Sequence, residues 1–243
     1  MEKIALVTGS SRGIGRAVAT ELARQGWAVC INYREREDCA RSLVEQLTGE
    51  GCRVMAVQAD VACREQVNAM VRQVEDAFGP VALLVNNAGV AGQALFQDIT
   101  DELWHRYFSV NVDGAYHAIQ AVLPAMLHHH EGCIINTSSI CGLIGHMNTP
   151  EAYTATKGAI TLLTKSVAAR YGKDNIRCNS IHPATVDTPF VAALMADPVK
   201  KQARLNEIPL GRLTSVEDVA NAVLYLASDE ASFLNGVNLP IDG

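Results

Sequence analysis

The chain has 243 residues, 49% hydrophobic and 19% charged, with a formal net charge of −6. That balance describes a globular protein with a sizeable core and excludes a disordered chain. A net negative charge without any block of basic residues leaves no footprint for nucleic acid or an anionic membrane surface, so the expected partner is a small molecule.

Short apolar runs alternate with longer amphipathic segments along the whole sequence. Strands are predicted over residues 4–7, 27–32, 53–58, 81–85, 133–137, 176–181 and 237–239. Helices are predicted over 13–24, 38–47, 65–78, 101–127, 152–171 and 216–227, with a helical stretch near 191–206; the 101–127 helix is expected to break or end near Pro124. Strands that read as continuous apolar runs between helices indicate an α/β fold, a doubly wound parallel sheet of about seven strands with helices on both faces. No linker, repeat or low-complexity tract marks a second domain. The cysteines at 30, 39, 52, 63, 133, 141 and 178 form no Cys-x-x-Cys pair and read as reduced thiols. Met1-Glu2-Lys3 leads directly into a strand, and no apolar run approaches the roughly 18 residues of a membrane span, so a soluble, cytoplasmic protein is expected.

The first strand-to-helix turn is Thr8-Gly9-Ser10-Ser11-Arg12-Gly13-Ile14-Gly15. Glycines there permit a tight turn and close approach of backbone to a pyrophosphate, whose charge the following helix N-terminus stabilises. Their Gly-x-x-x-Gly-x-Gly spacing differs from the commonest dinucleotide fingerprint. At the end of the second strand, Ile31-Asn32-Tyr33-Arg34 offers no carboxylate for the ribose 2′-hydroxyl of NAD. Arg34 and Arg12 are instead shaped to pair with the 2′-phosphate of NADP, which is the favoured cofactor. Glu35 and Glu37 lie close enough to keep NAD open. Further on, Tyr153 and Lys157 stand four residues apart in a predicted helix and so share a face. A cation beside a phenol favours the phenolate, which lowers a pKa that starts near about 10 and makes Tyr153 a candidate general acid or base. The same spacing also occurs in ordinary exposed helical pairs.

Together, the glycine turn, Asn86-Asn87-Ala88-Gly89 after the fourth strand, and Tyr153-Thr154-Ala155-Thr156-Lys157 resemble the short-chain dehydrogenase/reductase family over essentially the whole chain. The resemblance implies a single-domain Rossmann fold over 1–243, with Gly9, Ser11, Arg12, Gly13, Ile14 and Gly15 cradling the dinucleotide. It also implies that Asp60 and Val61 lie against the adenine, that Asn87, Ala88 and Gly89 support the cofactor, and that Val186 and Thr188 meet the nicotinamide carboxamide. Asn111, Ser139, Tyr153 and Lys157 correspond to the family's catalytic group. Ser138 is the neighbour and rival of Ser139, but Ser139-Ile140-Cys141-Gly142 fits the family's serine-x-x-glycine pattern better. In that group a hydride passes between nicotinamide and a carbonyl carbon, Tyr153 exchanges a proton with the oxygen, and Ser139 stabilises the alkoxide. Lys157 holds the ribose and lowers the Tyr153 pKa, Asn111 connects the pair to solvent through water, and no metal is needed.

The family's usual Pro-Gly after the sixth strand is here Pro183-Ala184, which would be strained if Ala184 took φ > 0. Residues 189–210 resemble the family's substrate lid. His128, His129 and His130 are adjacent on a helix end and point in different directions, which makes them a solvated run and not a metal cluster. The favoured reading is an NADPH-preferring ketone reductase similar to the 3-oxoacyl-acyl-carrier-protein reductases. A sugar, polyol or hydroxysteroid dehydrogenase is the first alternative, and a non-catalytic dinucleotide sensor the second. By resemblance, the assembly is a homotetramer.

Overall fold

The computed structural model describes residues 2–92, 94, 96–146, 149–188, 191 and 196–243. In chain order it contains β1 (Ile4–Val7), α1 (Gly13–Arg24), β2 (Ala28–Tyr33), α2 (Glu37–Gly49), β3 (Val54–Gln58), α3 (Arg64–Phe78) and β4 (Leu83–Asn86). There follow α4 (Asp101–Phe108), α5 (Gly114–His129), β5 (Gly132–Thr137), α6 (Glu151–Tyr171), β6 (Ile176–Pro183), α7 (Pro198–Asn206), α8 (Val216–Ala227) and β7 (Asn238–Ile241). All pairings are parallel, in the order β3-β2-β1-β4-β5-β6-β7.

Successive strand residues point to opposite faces of a sheet, and here both faces are covered, which is why most of the strands read as apolar runs; β6, with Arg177, Asn179, Ser180 and His182, is the exception. Ile4, Leu6, Cys30, Leu84 and Ile134 join Met70 and Val74 of α3, Val122 and Met126 of α5 and Val167 of α6. Ala5, Val7, Val29, Leu83 and Ile135 join Val18 and Leu22 of α1, Leu43 and Leu47 of α2 and Val219 and Val223 of α8. Burying each larger aliphatic side chain contributes about 1.5–3 kcal/mol. The strand order reverses between β1 and β4, which opens a crevice at the carboxyl ends of these strands.

Two predicted elements differ in detail. The long helix after β4 is interrupted at a π-helical segment, Ser109–Asp113, and Pro124 lies inside α5 without ending it. The Gln120 carbonyl that Pro124 leaves without its N–H belongs to an exposed residue, where water can serve it. β7 runs to Ile241 through Pro240, which an edge strand tolerates because its outer side needs no donor.

Candidate active site

β1 delivers the chain into the glycine turn. Gly9 and Gly13 take φ of 62° and 58°, in the left-handed region that glycine enters without a Cβ penalty. Close approach is the second reason for glycine. A Cβ on Gly9 would lie 2.8 Å from Ala88 Cα, and one on Gly15 would lie 2.5 Å from Asn87 Nδ2 and 2.6 Å from the Gly9 carbonyl oxygen. Hydrogen bonds hold this contact in place: the Asn87 and Ala88 N–H groups each donate to Thr8 Oγ1 at 3.0 Å, and Gly9 N–H donates to Asn32 Oδ1 at 3.0 Å. α1 then begins with no side-chain cap at Arg12 and no acidic residue in its first turn, over Gly13, Ile14 and Gly15. Uncapped N–H groups and the positive end of the helix dipole suit an anion, so this turn, with the buried Ser11 beside it, fits a dinucleotide pyrophosphate.

At the end of β2, the partly exposed Arg34 pairs with Glu35 and lies 3.9 Å from Asp60. Asp60 Oδ1 accepts from Ala62 N–H at 3.0 Å, and Val61 is buried. A guanidinium and two carboxylates therefore share the place where a ribose 2′ substituent would be read.

The candidate reacting groups come from the ends of β5 and α6. Ser138 and Ser139 part ways: Ser138 Oγ donates to the Lys157 carbonyl at 2.9 Å and lies 3.1 Å from Thr161 Oγ1, so it is spent on packing α6. Ser139 Oγ accepts from Cys141 N–H at 3.3 Å, and Ser139 is near enough to Tyr153 to favour its ionised form. Lys157 is buried, donates from Nζ to the Thr137 carbonyl at 2.7 Å and lies 5.5 Å from the Tyr153 ring centroid. Burial lowers its pKa to about 8. Burial also raises the Tyr153 phenol well above its ordinary value, as does Cys141, with only Ser139 acting the other way. The ammonium is turned to the Thr137 carbonyl and is not among the influences on the phenol in the free protein, where desolvation dominates and Tyr153 stands as a neutral phenol.

Asn111 occupies the π-helical segment, where its side chain is committed to protein. It accepts from Val90 N–H at 2.7 Å and donates to the Val90 carbonyl at 2.9 Å and to Thr156 Oγ1 at 3.0 Å. The residue thus ties the loop after β4 to α6. Gly89 fits between the groups, since a Cβ there would lie 3.3 Å from Asn111 Oδ1 and 3.8 Å from Lys157 Nζ. π-turns of this kind recur at functional sites because the widened turn re-aims a side chain.

Past β6, Val186 is buried and bridges to Thr214, and Thr188 Oγ1 donates to the Val186 carbonyl at 3.3 Å. The Thr188 methyl would lie 3.7 Å from a Cβ on Gly13, so the segment reaches over the glycine turn. Among the described residues only His130 and Asn175 are non-glycines with positive φ, and Ala184 N–H donates to the Ile241 carbonyl at 3.1 Å. Ala184 therefore carries its Cβ without left-handed strain. Of the expected lid, residues 189, 190 and 192–195 lie outside the described residues. His128 and His129 end α5, with His130 in a left-handed cap. No group of three or more metal-ligating side chains occurs among the described residues. No described helix is long and apolar enough to cross a membrane.

Three polar residues were not singled out from sequence. Asn32 anchors the glycine turn, Asn136 accepts from Asn86 Nδ2 at 2.9 Å beneath the site, and His182 is buried against Ser139. For Asn32 and Asn136 the one signal is an amide inside a mostly apolar strand; His182 shares β6 with Arg177, Asn179 and Ser180 and has no such signal.

Comparison with known proteins agrees with this geometry. A family model described as Enoyl-(Acyl carrier protein) reductase matches residues 9–243. The chain is 37% identical over 243 residues to the 3-oxoacyl-acyl-carrier-protein reductase FabG of Staphylococcus aureus (strain Mu50), covering 100% of this chain and 98% of the relative. It is 38% identical over 242 residues to L-rhamnose 1-dehydrogenase (NAD(P)(+)) of Sphingomonas sp. (strain SKA58), covering 99% and 95%. A crystal structure of a gluconate 5-dehydrogenase from Burkholderia cenocepacia J2315, in complex with NADP and tartrate, superposes with a TM-score of 0.94 at 34% identity, covering 100% and 95%. The chain belongs to the short-chain dehydrogenase/reductase family and is an NAD(P)-dependent oxidoreductase acting on CH–OH groups.

Proposed function

We propose that the enzyme is an NADPH-preferring reductase of a 3-oxoacyl-type ketone, with NAD as a possible second cofactor. The observation that carries the chemistry is the convergence of Ser139, Tyr153 and Lys157, with Tyr153 a neutral phenol beside Ser139 and the Lys157 ammonium 5.5 Å from its ring. When bound, the nicotinamide supplies the hydride in reduction and takes it in oxidation. Tyr153, already in its acid form, gives its proton to the carbonyl oxygen, and Ser139 donates a hydrogen bond to the alkoxide that forms there. Lys157 serves the cofactor ribose and favours the phenolate that Tyr153 becomes. Asn111 holds the loop and helix around this pair, and we assign it the water-bearing place in proton exchange with solvent.

Gly9, Ser11, Arg12, Gly13, Ile14 and Gly15 are assigned to the pyrophosphate, Asp60 and Val61 to the adenine, Asn87, Ala88 and Gly89 to the adjoining cofactor wall, and Val186 and Thr188 to the carboxamide. Arg34 supports the NADP preference, because its guanidinium stands at the end of β2 with a shape that suits a 2′-phosphate. Whole-length identity to a 3-oxoacyl reductase supports the substrate class.

One observation favours a second reading, a sugar or polyol dehydrogenase. Cys141 Sγ donates to Thr149 Oγ1 at 3.3 Å, His146 Nδ1 lies 3.4 Å from that oxygen, and Arg204 Nη1 donates to His146 Nε2 and to Glu207 Oε2, each at 2.9 Å. This polar line joins the segment after Ser139 to α7, and it suits hydroxyl groups better than an alkyl chain. α7 lies within 189–210, which we assign as the substrate lid of one catalytic domain. The free thiols at all seven cysteines support a cytoplasmic location. Exposed Leu162 on α6, Tyr116 on α5 and Phe233 before β7 support a homotetramer.

The test is binding of NADPH and NADH, followed by turnover on 3-oxoacyl thioesters, simple ketones, sugars and steroids. Turnover of thioesters supports the first reading and turnover of sugars alone supports the second. Failure to bind either cofactor would overturn both.

A further inference from the structure

His182 is the one histidine with no exposed surface, set among buried neighbours on β6. Its Nδ1 lies 2.8 Å from the Ser139 carbonyl oxygen and its Nε2 lies 2.8 Å from Ser180 Oγ. A carbonyl oxygen only accepts, so Nδ1 carries the proton and donates. Burial lowers the imidazole pKa, with Lys157 and Lys165 acting in the same direction and the Ser139 bond opposing, so the ring is neutral and Nε2 is an acceptor. That acceptor and Asn238 Oδ1 on β7, 2.9 Å from Ser180 Oγ, compete for the one Ser180 hydroxyl proton. The contact that bears on the site is the one from His182 to the backbone of Ser139.

Ser139 needs such a support. The β5–β6 ladder ends at Thr137 and Ile181, and Ser138 N–H makes the last contact, to the Ile181 carbonyl at 2.9 Å. Beyond it Ser139 is extended, at φ −165° and ψ 160°, and its carbonyl has passed the sheet. On the other side, Cys141 N–H donates to Ser139 Oγ and leaves the hydroxyl proton free for a second acceptor. Holding the Ser139 carbonyl therefore fixes the peptide from which that proton is aimed. A fully buried imidazole loses its hydration, and its two hydrogen bonds compensate for that loss.

We propose that His182 is a positioning residue for Ser139: its Nδ1–H clamps the Ser139 carbonyl, so that the Ser139 hydroxyl stays directed at Tyr153 and the substrate oxygen. The inference rests on the reading of Ser139 as a hydrogen-bond donor to that oxygen.

The experiment compares wild type with His182→Leu, His182→Asn and Ser139→Ala, measuring kcat, KM and NADPH Kd on the best substrate. His182→Leu lowers kcat about tenfold, the equivalent of one buried hydrogen bond, with NADPH Kd unchanged. His182→Asn, whose amide N–H reaches the same carbonyl, returns kcat to within about threefold of wild type. Unchanged Kd establishes that the variants are folded; if His182→Leu does not fold, His182→Gln replaces it, since its longer amide reaches Ser180 and misses Ser139. Two results overturn the proposal: kcat unchanged in His182→Leu while Ser139→Ala is slow, or His182→Asn as slow as His182→Leu. Wild-type kcat in Ser139→Ala identifies the other failure, that of the Ser139 reading on which the proposal stands.

Discussion

Replacing Lys157 with methionine should abolish turnover and stabilise the fold. Burial takes the lysine from its ordinary 10.5 to about 8, a shift that makes the charged form cost the folded state about 3 kcal/mol at neutral pH. The side chain is only 4% exposed, so solvent screening reduces this little. Against it stands the hydrogen bond from Nζ to the Thr137 carbonyl, whose loss costs about 1 kcal/mol. Methionine fills similar volume, which leaves the variant more stable by about 2 kcal/mol at neutral pH. The sign with pH follows from the lowered pKa. Between pH 8 and 10.5 the unfolded chain binds more protons than the folded one, so wild-type stability rises across that window. The advantage of Lys157→Met is therefore full below pH 8 and has disappeared by pH 10.5. Urea unfolding at matched protomer concentration, at about pH 7 and about pH 9.5, measures both. A variant less stable than wild type at neutral pH, or an advantage that does not change with pH, would mean that burial of Lys157 does not cost the fold this energy.

Three further predictions concern cofactor and assembly. Gly15→Ala forces a Cβ to 2.6 Å from the Gly9 carbonyl oxygen and 2.8 Å from Ser10 Cα, so it should destabilise by about 2 kcal/mol or more and weaken NADPH binding; unchanged thermal unfolding would contradict this. Arg34→Ala should weaken NADPH about tenfold and leave NADH nearly unchanged, as fluorescence titration would read; equal losses for both would remove Arg34 from the 2′-phosphate. Leu162→Glu places a charge on an apolar residue that is 68% exposed on α6, and light scattering should show a smaller assembly with helical content retained. An unchanged mass would exclude α6 from the contact.

The sheet was readable because strands buried on both faces leave no polar alternation: β1 through β5 read largely as apolar runs, and the glycine turn, Asn86-Asn87-Ala88-Gly89 and Tyr153 to Lys157 all fall at strand or helix ends that face one crevice. Pro124 misled because a proline's effect depends on whether the carbonyl it orphans can reach water, which sequence does not state. The break is set instead by Asn111, whose side chain is engaged with Val90 and Thr156 across long sequence separations. The Tyr153–Lys157 spacing correctly implied a shared face, but the sign of the phenol shift depends on desolvation and on the Thr137 carbonyl that draws Lys157 away. Ala184 was unreadable for a similar reason, since backbone φ is fixed by a hydrogen bond to Ile241 at the far end of the chain. His182 was passed over because its Nδ1 partner, the Ser139 carbonyl, is adjacent only once β5 and β6 are side by side.

Tyr153 is assigned as the proton donor to the carbonyl oxygen. The most direct measurement is kcat of Tyr153→Phe beside its NADPH Kd, on the substrate that wild type turns over. Tyr153→Phe should lose about a thousandfold in kcat with Kd unchanged, since only the phenolic proton is removed from a folded, cofactor-competent site. Turnover within about threefold of wild type would contradict it, because proton transfer would then belong to another group.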